Sequence, residues 1–268
     1  MCMRKNQSRA GFTLVELAIV LVIIGLIIGG VLVGQDLIKA ATIRSTVSDL
    51  EKINASANTF RNKYNGLPGD LLAATATSYG LVTRSGAGGH GDGNGVVDGC
   101  AVGAANVLGC ETGLFWVDLN TAGLTTQAFV TATDAVVASL TSSGAFVPYL
   151  PRTRLRDSSF ISIMPSVSRN FFYVGGLSST TAGGVMTIAN AISTAEAKAI
   201  DSKVDDGLPG TGAMVAVSAL GAATYVADAG AASATGVCVN TSVTPADYNV
   251  VPAFITEINC KFVNRTSF

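Results

Sequence analysis

The chain has 268 residues, a length that allows one large or two small domains with a hydrophobic core. Its formal net charge of −1 and its pI near 5.8 give no basic surplus, so we do not expect nucleic acid as a partner. The single histidine, His90, and the lack of G-x-S-x-G, H-E-x-x-H and P-loop motifs argue against an enzyme.

An apolar run lies close to the N-terminus. Residues 17–34 are 18 consecutive residues without a charge or a hydrogen-bonding side chain. This length is at the low end for a helix that crosses about 30 Å of hydrocarbon. A lone span in lipid must satisfy its own backbone hydrogen bonds, so the run predicts a helix although it is rich in Val and Ile. Arg4, Lys5 and Arg9 precede the run, which places the N-terminus in the cytoplasm.

Glu16 stands at the start of this run, where a carboxylate is costly and usually functional. The nearest downstream cation is Lys39, roughly 35 Å away at 1.5 Å per residue, so we expect the helix itself to offer Glu16 no partner. The carboxylate then needs either neutralisation or a partner from another chain. The alternative is that Glu16 snorkels to the headgroups around an ordinary membrane anchor.

The leader and the residues after it resemble a known signal. A short basic leader, then Gly11, Phe12, Thr-Leu-Val, Glu16 and a long apolar helix, is similar to the class III signal of type IV pilins and type II secretion pseudopilins. The resemblance implies that a prepilin peptidase cleaves between Gly11 and Phe12 and methylates the new amine of Phe12. It also implies that Glu16 meets the N-terminus of a neighbouring subunit. The alternative is an uncleaved single-pass anchor.

The same resemblance implies partners and a location. The partners are prepilin peptidase, other pilins or pseudopilins through the N-terminal helix, the inner-membrane assembly platform, and membrane lipid before assembly. We expect a single-pass protein of the bacterial inner membrane with a periplasmic head, which later enters a pilus or pseudopilus. Two small-x-x-x-small pairs in the run, formed by Gly25, Gly29, Gly30 and Gly34, allow close approach of helices.

The helix is expected to continue beyond the apolar run. Apolar residues recur at intervals of three and four in one stripe: Ile43, Val47, Leu50, Ile53, Ala57, Phe60 and Tyr64. Asn65-Gly66, with Pro68 beyond, predicts the end of the helix. The expected organisation is a leader (1–11), a transmembrane and filament-core helix (12–35), its amphipathic continuation (36–66) and a head (67–268).

The head is expected to be α+β and pilin-like, with an antiparallel sheet packed on the second half of the long helix. Strand patterns bounded by Gly or Pro occupy residues 160–164, 170–174 and 185–188, and residues 214–217 are expected to return to the sheet. Short helices are predicted over residues 111–124 and from a Ser193/Glu196 capping box to about Asp206. Two strings, residues 67–70 (Leu-Pro-Gly-Asp) and residues 200–210, resemble a group of large prepilin-like proteins.

Four cysteines remain once the leader, which carries Cys2, is removed. An even number of cysteines in an exported domain predicts disulfides, with three possible connectivities. The short sequence separations favour Cys100–Cys110 and Cys238–Cys260.

A Gly-rich loop is the best candidate for binding a small ligand. Asp92, Asn94 and Asp98 place oxygen-bearing side chains along it, which suits Ca²⁺. The string resembles the middle of an EF-hand loop, but His90 and Ala101 stand where that loop has its first and closing carboxylates. The alternative is a solvated turn.

The residues together favour a structural subunit, a minor pilin or pseudopilin of a type IV pilus or type II secretion filament. The large head, and the lack of the mid-span proline that many major pilins carry, favour a minor subunit. One alternative is a membrane-tethered module that binds Ca²⁺, DNA or a secreted substrate; Arg152, Arg154 and Arg156 alternate and would offer phosphate contacts on one strand face. The other alternative is a tethered enzyme.

Overall fold

The computed structural model describes residues 13–82, 91–99, 107–130, 140–166, 169–181, 184–220, 225–227, 238–240, 245–248 and 258–268. The predicted leader (1–11), the predicted cleavage junction between Gly11 and Phe12, and the residues His90, Cys100 and Ala101 lie outside these ranges.

A long helix, α1 (Leu14–Tyr64), opens the fold. The chain forms two units, residues 1–42 and residues 43–268, each with its own set of contacts. In the first unit, α1 carries an 18-residue window with a mean hydropathy of 3.0, none of which is buried. Among the described residues, α1 is the one helix long and apolar enough to cross a membrane, judged by length and composition.

The second unit begins with the last part of α1, which buries one stripe of side chains. The stripe consists of Ile43, Thr46, Leu50, Ile53, Ala57, Phe60 and Tyr64. It matches the predicted stripe except that Thr46 is buried as well and Val47 is only partly buried. The helix ends where Asn65 takes a φ of +55°, a left-handed conformation that asparagine tolerates.

Among the described residues, three further helices and a 3₁₀ turn belong to the head. They are α2 (Ala73–Ser78), α3 (Cys110–Thr121), the 3₁₀ turn (Ser143–Phe146) and α4 (Thr194–Val204). Helix α3 is the central one, because its residues from Cys110 to Leu119 are all buried. Its Phe115 ring lies 6.2 Å from the ring of Phe172, so the helix packs directly on the sheet.

Within the described parts of the chain, the strands form an antiparallel sheet and two short ladders. The strands are β1 (Ser159–Ser166), β2 (Arg169–Thr180), β3 (Met186–Ala189), β4 (Ile192–Ser193), β5 (Met214–Leu220), β6 (Tyr225–Ala227), β7 (Val239–Asn240), β8 (Asp247–Tyr248), β9 (Ile258–Cys260) and β10 (Phe262–Arg265). The main sheet has the order β1-β2-β10-β5-β6, with β3 also paired to β2. Strands β4 and β9 form one ladder, and β7 and β8 form the other. The predicted α+β head with an antiparallel sheet is confirmed.

The C-terminal strand β10 holds the middle of the main sheet. Phe262 pairs with Val174 of β2 on one side and with Ala216 of β5 on the other. Phe262 and Val174 are fully buried, in the same hydrophobic cluster that contains the stripe of α1. The predicted disulfide Cys238–Cys260 is present beside this strand, with the two Cα atoms 5.0 Å apart. Cys110 is disulfide-bonded as well, but Cys100, its predicted partner, lies outside the described residues.

Candidate functional site: the N-terminal helix and the carboxylates of the head

The first turn of α1 is closed by a capping box between Thr13 and Glu16. The backbone N–H and the hydroxyl of Thr13 donate to Glu16 Oε2 at 2.8 and 2.9 Å. In return, the Glu16 N–H donates to Thr13 Oγ1 at 3.3 Å. The expectation that its own helix offers Glu16 no partner is therefore wrong for hydrogen bonding. No cation among the described residues forms an ion pair with Glu16, so its charge still lacks an opposite charge there.

The apolar surface of α1 that follows this cap is exposed. Large side chains stay exposed from Leu14 to Ile38, and Leu26, near the middle, is 73% exposed. A Cβ built on any of the four glycines of the run would meet no described atom within 4 Å. A contiguous apolar surface of this size marks contact with lipid or with other protein. The glycines leave room for close packing of a second helix.

A buried glutamate of α3 holds the Gly-rich loop of residues 91–98. Glu111 Oε1 accepts the backbone N–H groups of Gly91 and Asp92 at 2.9 and 3.1 Å. The other oxygen, Oε2, accepts the N–H of Asp98 at 3.0 Å. The Glu111 side chain is fully buried, so these loop amides replace the water that the carboxylate has lost.

A second buried carboxylate, that of Asp70, holds the middle of the same loop. Asp70 Oδ1 accepts the N–H groups of Gly93 and Asn94 at 2.8 and 3.2 Å. Its Oδ2 accepts the N–H of Gly95 at 2.9 Å. The backbone N–H groups of residues 91–95 and 98 therefore donate hydrogen bonds to two acidic side chains. These bonds hold residues 91–98, none of which pairs with a described strand.

Burial changes the proton affinity of both carboxylates. The pKa of Glu111 rises from 4.5 to about 8, first because of burial and then because of the nearby charges of Asp70 and Asp98. The pKa of Asp70 rises from 3.8 to about 6, again mainly through burial, with Asp92 adding to the effect. The backbone N–H groups act in the opposite direction, because they stabilise the ionised form.

The predicted calcium ligands do not all come together. Asn94 Nδ2 donates to Asp92 Oδ2 at 2.8 Å, so a nitrogen of Asn94 faces Asp92. The Asn94 oxygen accepts the Val96 N–H at 2.6 Å. Asp92 instead joins Asp70 and Glu111, with one oxygen of each lying within 4.8 Å of the others. Calcium binding by Asp92, Asn94 and Asp98 stays a prediction, and sequence reasoning missed the closer group with Asp70 and Glu111.

A second group of carboxylates lies where α4 ends. Asp201 lies in the last turn of the helix, and Asp205 and Asp206 follow directly after it. One oxygen of each lies within 4.8 Å of the others. The pKa of Asp201 rises from 3.8 to about 6, mainly through burial and then through the charges of Asp205 and Asp206. Sequence reasoning singled out this string for its resemblance to prepilin-like proteins but assigned it no ligand.

The alternating arginines do not form an open basic stripe. Arg152 pairs with Asp157 at 2.7 Å, and Arg156 pairs with Glu196 at 3.3 Å. Arg154 is exposed, but no ion pair of it with another described residue is found. Two of the three guanidinium groups therefore already have a carboxylate partner, which leaves little surplus charge for phosphate.

The features at the start of the chain agree with one comparison to known proteins. Residues 6–32 match the family described as the prokaryotic N-terminal methylation motif. The chain carries a prepilin-type signal. The match covers the end of the predicted leader and the apolar half of α1, and it does not extend into the head. No curated protein and no solved structure is significantly similar to the chain.

The prepilin signal supports a role of the type IV pilin or pseudopilin type, which is structural rather than catalytic. The predicted signal at Gly11, Phe12 and Glu16 falls inside the matched residues. The capping box of Glu16 was missed, although its sequence signature, Thr followed three residues later by Glu, was readable. Asp70 and Glu111 had no such signature, because they lie far apart in the sequence.

Proposed function

We propose that the chain is a structural subunit, a minor pilin or pseudopilin, of a type IV pilus or type II secretion filament. One observation carries the proposal: the methylation motif runs directly into a helix whose apolar surface is exposed from Leu14 to Ile38. Such a surface suits lipid before assembly and neighbouring helices after it. The well-packed α+β head is then the part displayed outside the bundle of helices.

Processing precedes assembly in this proposal. Prepilin peptidase removes residues 1–11 and methylates the amine of Phe12, which becomes the first residue. Residues 12–35 form the membrane span and later the filament core, residues 36–66 continue the helix, and residues 67–268 form the head. Before assembly the protein is a single-pass protein of the bacterial inner membrane with a periplasmic head. Its partners are the peptidase, the assembly platform and other pilins or pseudopilins.

Glu16 is proposed to guide assembly through its charge. Its capping bonds to Thr13 fix the start of α1 but bring no positive charge. Cleavage creates a cationic amine on Phe12, and in a filament the amine of a neighbouring subunit supplies the missing partner. An ion pair surrounded by apolar helices is strong when it is complete, and an unpaired charge there costs several kcal/mol. The contact would therefore fix the axial register of neighbouring subunits.

The test separates the charge of Glu16 from its capping role. Gln also serves in a capping box, so Glu16→Gln keeps the cap and removes the charge. Thr13→Ala removes a capping hydroxyl and keeps the charge. Each variant is expressed in a host that carries a prepilin peptidase, and intact mass of the extracted protein is measured. We expect loss of residues 1–11 and gain of one methyl group in every case.

Incorporation into sheared filaments is then compared between the variants. We expect Glu16→Gln to reduce incorporation by about tenfold or more, which is a loss of only about 1.4 kcal/mol. Thr13→Ala and the exposed control Glu51→Gln are expected to assemble nearly as well as the natural chain. Normal assembly of Glu16→Gln would contradict the proposed charge contact. An unprocessed mass in a competent host would contradict the proposed function as a whole.

A further inference from the structure

The turn that follows α4 holds a buried carboxylate with one unpaired oxygen. Asp201 is fully buried, and its Oδ2 accepts the hydroxyl of Tyr248 at 2.7 Å. Its Oδ1 has no hydrogen-bond partner in the part of the chain that the structure describes. Buried polar groups in folded proteins are nearly always paired, because leaving one without a partner costs about 1–3 kcal/mol, and more for a charged group. The unpaired Oδ1 therefore points to a ligand.

The neighbours of Asp201 add negative charge to this place. Asp205 and Asp206 each bring a carboxylate oxygen within 4.8 Å of one from Asp201. No ion pair joins any of the three to another described residue; the nearby Lys198 is engaged by Asp247 at 2.8 Å. The C-terminal end of α4 contributes further negative potential. A cation is the ligand that this combination of charges favours.

The remaining contacts of the cluster orient its oxygens. Asp206 Oδ1 accepts the Leu208 N–H at 2.9 Å, and its Oδ2 accepts the Thr211 hydroxyl at 2.6 Å. Asp205 accepts the N–H groups of Asp206, Ala213 and Met214. Metal-binding carboxylates are commonly hydrogen-bonded in this way, which fixes their orientation. An ionised carboxylate has about four lone-pair sites, so these bonds leave room for a metal ion.

The Asp70 and Glu111 group differs in the hydrogen bonding of its carboxylate oxygens. There, each of the four oxygens of the two buried carboxylates already accepts at least one loop amide. The loop itself is therefore sufficient to explain why these acids are buried. At Asp201, no described residue forms a hydrogen bond with Oδ1.

We propose that Asp201, Asp205 and Asp206 bind one Ca²⁺ ion. All three side chains offer hard oxygen ligands, which Ca²⁺ accepts in irregular arrangements of six to eight. Asp206 is exposed, so water can complete the coordination and the ion can enter from solvent. Mg²⁺ fits less well, because it demands near-ideal octahedral geometry. Bound calcium would fasten the turn after α4 to the start of β5. This inference does not depend on the proposed assembly function.

The experiment uses the full chain in nonionic detergent, freed of metal with EDTA and then dialysed. Calcium chloride is titrated by calorimetry, and the Tm is followed in parallel. We expect one calcium ion per chain with a Kd on the order of 10⁻⁴–10⁻³ M, the range of extracellular calcium modules. At a free concentration 100-fold above Kd, the Tm should rise by roughly 5 °C or more. Magnesium chloride at the same concentration should give a much smaller rise.

Three variants identify the site. Asp201→Asn should abolish the Tm rise; because this residue is buried, the exposed Asp206→Asn is measured as well and should raise the Kd at least tenfold. Asp92→Asn tests the Gly-rich loop and should keep the full rise. The proposal is overturned if the natural chain shows no calcium binding, or if Asp206→Asn binds as tightly as the natural chain. It is also overturned if Asp92→Asn, and not Asp201→Asn, abolishes binding, since calcium would then occupy the Gly-rich loop.

Discussion

The buried Glu111 predicts that the head loses stability as the pH rises toward 8. The pKa of Glu111 is about 8 in the folded chain and 4.5 as its ordinary value. The folded state therefore binds more protons than the unfolded state between these values, and stability falls as pH increases through that window. The contribution of Glu111 protonation to the free energy of unfolding is fully present below pH 4.5 and is lost above about pH 8.

The size of the effect follows from the same two pKa values. Between pH 6 and pH 8 the free energy of unfolding should fall by about 2 kcal/mol through Glu111 alone, at a slope approaching 1.4 kcal/mol per pH unit near pH 6. Asp70 and Asp201, whose pKa values rise to about 6, lose their own contributions mainly at lower pH. The interval from pH 6 to pH 8 is therefore the one that reports on Glu111.

The variant Glu111→Gln isolates this contribution. The Gln oxygen can still accept the amides of Gly91 and Asp92, but its nitrogen would face the Asp98 N–H, which is a donor too. The lost hydrogen bond should cost about 1–3 kcal/mol at pH 6. Since Gln does not titrate, the variant should lack this part of the pH slope. Its stability should therefore approach that of the natural chain, or exceed it, at pH 8.

Urea denaturation of the full chain in nonionic detergent with EDTA measures both quantities. The midpoints are recorded at half-unit steps from pH 5 to pH 8.5 for the natural chain, Glu111→Gln and the exposed control Glu51→Gln. The control should retain the slope of the natural chain. Equal slopes for the natural chain and Glu111→Gln between pH 6 and pH 8 would refute the assignment of the effect to Glu111.

Two further predictions concern the loop and the disulfide. Gly91 and Gly95 both have positive φ, +74° and +86°, but a Cβ on Gly91 would collide with the Leu71 carbonyl oxygen while one on Gly95 would meet no described atom within 4 Å. Gly95→Ala should lower the free energy of unfolding by roughly 1–2 kcal/mol through backbone strain alone. Gly91→Ala should lower it by well over that amount, because the collision adds to the strain. Urea midpoints measure both losses, and equal losses would contradict this prediction. Replacing both Cys238 and Cys260 by Ala opens a loop with a sequence separation of 22 and should cost roughly 3 kcal/mol, whereas an unchanged midpoint would indicate that the bond does not constrain the unfolded chain.

Much of the fold was predictable because the signals are local. The stripe of α1 shows its helical period within a few turns, and the strand patterns at residues 160–164 and 170–174 lie within β1 and β2. Strand β10 was not predicted. It has only four residues, Phe262–Arg265, and its central place depends on pairing with strands that lie far away in the sequence. No local pattern reports such long-range pairing.

The candidate sites also differ in whether a local sequence pattern marks them. Glu16 was found from its local surroundings, and even its missed capping box has a signature of four residues. No local sequence pattern shows that Asp70 and Glu111 bind the same loop. The fold brings them together there, Asp70 from the turn after α1 and Glu111 from the first turn of α3. The sequence showed the oxygen-rich loop from Asp92 to Asp98. It did not show that the backbone amides of this loop would donate hydrogen bonds to Asp70 and Glu111.

The two clusters of acidic residues in the head illustrate how hydrogen bonds to carboxylates can hold loops that have no strand pairing. Asp70 and Glu111 accept amides from a Gly-rich loop, and the acids after α4 accept amides from the turn that leads into β5. In each case carboxylates accept backbone amides of a loop, as ladder partners do for a strand; these carboxylates are buried at Asp70 and Glu111, whereas Asp205 is only partly buried and Asp206 is exposed. The arrangement concentrates like charges, and proton uptake relieves that repulsion at Glu111. Asp201 Oδ1 has no hydrogen-bond partner among the described residues, and proton uptake alone would not provide one, whereas a bound cation would satisfy both the charge and that atom.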